Sequence, residues 1–107
     1  MNGLRQRNPR MRLPKLLKAA NGAPCAICGE IGTTVAAHSN ALRHGHGIGV
    51  KPHDFYTAYV CQDHHDMIDG RKGKLTLSEK REMWELAWER TVAYWFENGI
   101  VVLDNNP

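Results

Sequence analysis

Apolar and polar positions along the chain mark out a short ordered series of elements. In LPKLLKAANG, Leu13, Leu16 and Leu17 share one edge, Pro14 suits a first helical turn and Asn21-Gly22 a stop, which predicts a short helix. TTVAAH, residues 33–38, and FYTAYV, residues 55–60, are β-branched and aromatic and predict two strands. Between them, Ser39 to Pro52 is glycine-rich and basic, the composition of a surface loop. A second short helix is expected from Asp63 or His64 to Gly70, and Lys74 to Leu77 as a brief extended piece. Thr76 and Glu79 have capping-box spacing, with Ser78 as a competing cap, and open a long helix to about Glu97. Trp84, Trp88, Val92 and Trp95 give that helix one strongly apolar face. Asn98-Gly99 should close it, and IVVL predicts a last strand. With no internal repeat, the series describes one α+β domain.

Size and charge add two constraints. The chain has 107 residues, and we expect a basic arm at 1–18 followed by a single domain at 19–107. A core that small folds marginally without a metal, disulfides or self-association. Three cysteines cannot all pair within one chain, and the N-terminus is basic with no apolar leader segment. No apolar run is long enough to span a bilayer. The expected setting is a reducing cytoplasm, where cysteine clusters more often bind metal. Arg5, Arg7, Arg10, Arg12, Lys15 and Lys18 all precede the first acidic residue, Glu30, a block that suits nucleic acid or another polyanion. Taken alone, it describes a solvated terminus equally well.

The densest chemistry lies in VCQDHHDMIDGRKGK, residues 60–74. Cys25-x2-Cys28 and Cys61-x2-His64 form two ligand pairs. A two-residue spacer lets one knuckle present both of its ligands to one tetrahedral zinc ion. Such a Zn2+ would close the long loop between residues 28 and 61. Cys61-x3-His65 is also a permitted spacing; His64 is preferred because it keeps the shorter spacer and frees His65 for other work.

Strand, loop, strand, zinc knuckle and helix, with His38 ending the first strand and His65 on the helix, resembles the ββα-metal core of HNH-type (His-Me finger) nucleases. The segments PCAICG, TTVAAHSN, GVKPHDFYTAYVCQDHHDMIDGR and ERTVAYWFENGIVV are similar to the small prophage-encoded nucleases of the YbcO type. That resemblance covers most of the chain from Pro24 on. It implies a zinc-stabilised ββα-metal fold with a long C-terminal helix, and a metal-dependent endonuclease acting in phage recombination or DNA processing in a bacterial host.

On this reading His38 is the base that activates water, since a neutral imidazole suits that role near pH 7. His65 and Asp69, four apart on one helix face, would hold a catalytic divalent cation, Mg2+ or Mn2+; Asp66 is the competing carboxylate. Two departures from the broad HNH pattern stand out. Ala37 occupies the position before His38 where many members carry a metal ligand. The middle Asn is also missing, with Asp54, Tyr56 or Thr57 nearby, and His44, His46 or Asp54 could stand in for the absent groups. Arg10, Arg12, Arg43, Arg71, Lys72 and Lys74 are the expected contacts to DNA phosphates. Two rival classes remain: a non-catalytic zinc-ribbon-like nucleic-acid-binding module, and a homodimer or interaction domain joined through the tryptophan helix.

Overall fold

The structure, a computed structural model, describes residues 12–44 and 52–103. Arg10 and the rest of the basic block before Arg12, together with loop residues such as His46 and Lys51, lie outside the described residues. The elements in chain order are α1 (Pro14–Lys18), β1 (Thr34–His38), a 3-10 turn (Leu42–His44), β2 (Thr57–Cys61), α2 (Gln62–Ile68) and α3 (Leu77–Glu97). β1 and β2 pair antiparallel, with Thr34 opposite Cys61 and His38 opposite Thr57.

A two-stranded sheet is marginal in water and needs cover. Here β2 is buried along its whole length, and its outer edge is satisfied from two directions. The Tyr59 amide donates to Thr91 Oγ1 of α3 (2.9 Å), which itself donates back to the Ala87 carbonyl (2.7 Å). The Tyr59 carbonyl accepts from the Ala26 amide (2.8 Å) inside the first cysteine knuckle. At Tyr59 that edge is thereby closed to pairing with another strand.

Strand alternation gives the sheet two faces. One carries Ala37, Ala58 and Val60, packed with Ile68 of α2 and with Trp84 and Ala87 of α3. The other carries Tyr59, packed with Leu16, Ala20 and Trp95, with Ala36 and Val92 alongside. The tryptophan stripe is therefore spent on the chain's own core. Its indoles also make polar contacts: Trp84 Nε1 donates to the Ala37 carbonyl and Trp88 Nε1 to the Phe55 carbonyl, each at 3.0 Å. Leu16 is buried and the Tyr59 hydroxyl donates to its carbonyl, so α1 belongs to the packed body. The division expected at residue 18 falls at the end of that helix.

The start of α3 uses Thr76 as cap: its hydroxyl accepts from the Glu79 amide (3.1 Å), and Glu79 Oε1 accepts from the Thr76 amide (2.8 Å). Ser78 lies inside the helix. Phe55 and Tyr56, expected in the second strand, form a turn before it, closed by the Tyr56 amide on the His53 carbonyl (3.0 Å). α2 starts at Gln62, directly after β2, because Cys61 already has an extended backbone suited to capping.

The last strand expected at IVVL does not form. Gly99 takes φ +68°, and the Ile100 amide turns back to the Trp95 carbonyl (2.8 Å) while Gly99 bonds to Phe96. This helix-ending motif uses the amides that a strand would have needed, and it drops Ile100 and Val101 onto the second core. Among the described residues no helix is long and apolar enough to cross a membrane.

Trp95 fills the second core with no exposed surface. Trp95→Ala should cost about 3–5 kcal/mol of stability, read from the urea midpoint. Thr76→Ala, which removes one exposed cap, should cost about 1 kcal/mol in the same assay.

Candidate metal centre and active site

The first knuckle turns because Gly29, at φ +82°, lets its amide bond back to the Cys25 carbonyl (2.9 Å). That turn aims Cys25 and Cys28 at the junction of β2 and α2, where Cys61 and His64 lie. The ligand atoms of Cys25, Cys28, Cys61 and His64 all fall within 4.8 Å of one another. His64 Nδ1 is 3.6 Å from Cys25 Sγ and 3.2 Å from Cys61 Sγ, and Cys28 Sγ is 3.9 Å from Cys61 Sγ. A tetrahedral zinc site has sulfur–sulfur edges of about 3.8 Å and sulfur–nitrogen edges of about 3.5 Å. The four residues fit such an ion in donor type and in spacing.

Their ionisation also favours a cation. Burial opposes ionisation of Cys25, but the amides of Cys28, Cys61 and Ile27 and the Cys28 thiol outweigh it and bring Cys25 down to about 6. Burial and the nearby Cys25 charge push Cys61 up to about 11. A second thiolate here therefore needs a positive ion to offset the first.

His65, one residue on, points elsewhere. Its Nε2 lies 3.2 Å from Asp69 Oδ2, one turn along the same helix. Its Nδ1 is buried with no hydrogen-bond partner among the described residues. Asp69 also meets Arg71 Nη1 at 3.2 Å. Asp66 is held by Gln62 Nε2 and by Arg71 Nη2, each at 2.9 Å, and these hydrogen bonds lower its pKa. Asp66 thus ties the start of α2 to the turn that follows it. The Cys/His group is the one cluster of three or more metal-type ligands among the described residues; His65 and Asp69 make a pair.

His38 ends β1, and its Nε2 lies 2.9 Å from Asp54 Oδ1. The Asp54 side chain is only 4% exposed and also accepts from the Leu13 amide on Oδ2 (2.6 Å) and from Arg12 Nη1 on Oδ1 (3.2 Å). Burial works against this carboxylate, but the His38 hydrogen bond, the Leu13 amide and the charges of His38 and Arg12 win and hold it below the usual range. Since Ala37 faces Ile68 and Trp84, its neighbour His38 faces the opposite side of the sheet. Among the described residues no hydrogen bond or ion pair joins the His38–Asp54 pair to the His65–Asp69 pair.

Asp69 lines a cleft of about 150 Å³ with Ser39, which follows His38, and with Arg43, His44, Lys80 and Trp84. His44 stacks on Tyr56 (centroids 4.1 Å apart) and meets Ser39 Oγ through Nδ1 (2.6 Å). Burial and the Arg43 charge lower its pKa. Of the expected phosphate contacts, Arg43 pairs with Glu85 (2.7 Å), Arg71 with Asp66 and Asp69, and Lys72 with Asp63 (2.8 Å). Lys74 is exposed, and Arg12 reaches Asp54 and the Pro52 carbonyl (2.7 Å). Asp54, expected from the sequence only as one of several stand-ins for the missing groups, is brought to His38 by the turn before β2.

The fold and site define a small α+β protein built around a Cys/His metal-type cluster. A family model described as "Putative nuclease YbcO" matches residues 14–100, and the chain belongs to that family. Its class is accordingly that of nucleases, hydrolases acting on nucleic acids. Neither the curated proteins nor the solved structures contain a match to the chain.

His64→Ala should lose the bound zinc and lower the melting temperature, whereas His65→Ala should keep its zinc when both are measured by elemental analysis. Asp54 ionises more easily folded than unfolded, so its contribution is fully present above about pH 3.9 and is lost as pH falls through its folded value. The stability advantage of wild type over Asp54→Asn should therefore shrink below about pH 4, as read from urea midpoints across that range.

Proposed function

We propose that this chain is a divalent-metal-dependent endonuclease of the HNH, ββα-metal type that hydrolyses phosphodiester bonds in DNA. The observation that carries this reading is the presence of two imidazole–carboxylate pairs, His38–Asp54 and His65–Asp69, in a nuclease-family chain. Zn2+ on Cys25, Cys28, Cys61 and His64 is structural and fixes where α2 leaves β2. His38 is the general base, taking a proton from the attacking water. His65 Nε2 and Asp69 Oδ2, 3.2 Å apart, have nearly the spacing of adjacent ligands around Mg2+ or Mn2+, about 3.0 Å. A cation bound there would offset charge on the phosphate and leaving oxygen. Asp66, already engaged by Gln62 and Arg71, is the weaker of the two carboxylate candidates.

Arg10, Arg12, Arg43, Arg71, Lys72 and Lys74 supply affinity for the DNA backbone that weakens with salt. The reading extends, on the strength of the family resemblance, to a prophage-encoded activity in a bacterial cytoplasm that serves recombination or DNA processing.

Nicking of supercoiled plasmid with Mg2+ or Mn2+ tests this. Wild type should cut, chelator should stop it, and folded His38→Ala should cut about 10²–10⁴-fold more slowly. Equal trace cutting by both proteins would return the chain to a non-catalytic zinc-bearing module that binds nucleic acid.

A further inference from the structure

We infer that Asp54 is the positioning residue of His38: it accepts the Nε2 proton of the imidazole and leaves Nδ1 as the nitrogen with the free lone pair. This rests on the reading of His38 as the base and adds which atom performs the step and what holds it.

The argument starts from the carboxylate. Asp54 receives three donors, His38 Nε2, the Leu13 amide and Arg12 Nη1. An ionised carboxylate has no proton to give, so each neighbour must donate to it. Arg12 and a backbone amide can act only as donors, and together they keep Asp54 charged although it is buried. The nitrogen of His38 that faces Asp54 therefore carries the hydrogen. In a neutral imidazole one nitrogen then remains as acceptor, and that is Nδ1, which has no hydrogen-bond partner among the described residues. The His38 side chain is 22% exposed, enough for contact with water.

The carboxylate is itself fixed. Its backbone carbonyl accepts from Thr57 Oγ1 (2.9 Å) at the first residue of β2, and Thr57 pairs with His38 across the sheet. Asp54 and His38 are thus set by one register. Arg12 and Leu13 close the arrangement from the segment leading into α1, which gives that segment a place in the site besides any contact with nucleic acid.

In the reaction, a water O–H bond breaks and a hydrogen–Nδ1 bond forms. The water oxygen bonds to phosphorus, and the phosphorus–oxygen bond to the leaving group breaks. The leaving oxygen then takes a proton from the imidazolium or from solvent, so protons and charge balance. Asp54 stays ionised throughout and steadies the imidazolium, the usual role of a carboxylate behind a histidine base.

The test uses full-length zinc-loaded protein labelled with nitrogen-15, whose two-bond proton–nitrogen spectra distinguish the tautomers at neutral pH. Wild-type His38 should be protonated on Nε2 alone, and Asp54→Asn should mix the two tautomers. In plasmid cleavage, Asp54→Asn should lose at least about 10²-fold in kcat with KM within about twofold, its zinc content and circular dichroism unchanged. A carboxylate that only braced the fold would lower stability and leave the tautomer as it was. The proposal is overturned if wild-type His38 carries its proton on Nδ1, a reading that stands even if Asp54→Asn fails to fold. It is overturned too if folded Asp54→Asn keeps both tautomer and kcat. An Nε2 proton that becomes mixed in Asp54→Asn, in a wild type that cuts nothing, supports the positioning and overturns the nuclease reading.

Discussion

Strand β2 cannot leave its backbone unpaired in the core, and the rest of the molecule is arranged around satisfying it. On one edge it has β1. On the other, Thr91 of α3 takes the Tyr59 amide and the cysteine knuckle supplies the Ala26 amide to the Tyr59 carbonyl. An unmet buried amide or carbonyl costs on the order of 1–3 kcal/mol, a large share of what so small a domain has. The same bonds that complete the strand thus bring the first knuckle within reach of Cys61 and His64. Metal-type cluster and sheet are built together.

The junction of β2 and α2 also separates the two neighbouring histidines. Successive helical residues are rotated by about 100°, so His64 turns to the sulfurs while His65 turns to Asp69, one turn further on. One corner of the Cys/His cluster and the histidine of the proposed catalytic pair are held by the same short helix. A shift in its position would disturb both, which couples stability to the proposed chemistry through rigid geometry alone.

Charge in this protein is more locally compensated than its composition suggests. Arg43, Arg71 and Lys72 each have a carboxylate within ion-pair distance, and Arg12 is partly drawn into the hydrogen bonds around Asp54. Exposed pairs of this kind contribute little to stability. They do fix side-chain directions around the end of α2 and the nearby cleft, so a polyanion approaching there meets ordered cations that must exchange partners.

Much of this was legible in the sequence because it depends on neighbours in the chain. The capping box at Thr76, the tryptophan stripe of α3, the stop at Gly99 and the two-residue spacers of the knuckles are local rules, and local backbone geometry enforces them. Tertiary structure decided matters between distant residues. Asp54 is remote from His38 in sequence and adjacent only because Thr57 pairs with His38 across the sheet. Ile100 to Leu103 read as a strand from side-chain type alone. Instead the end of α3 takes the amides at Gly99 and Ile100, Ile100 and Val101 pack against the buried Trp95 face, and Val102 and Leu103 stay exposed. The chain order thus supplied the donors, cysteine, histidine and aspartate. Which donors face one another followed from strand register and helix rotation, which the sequence specifies only through the completed core.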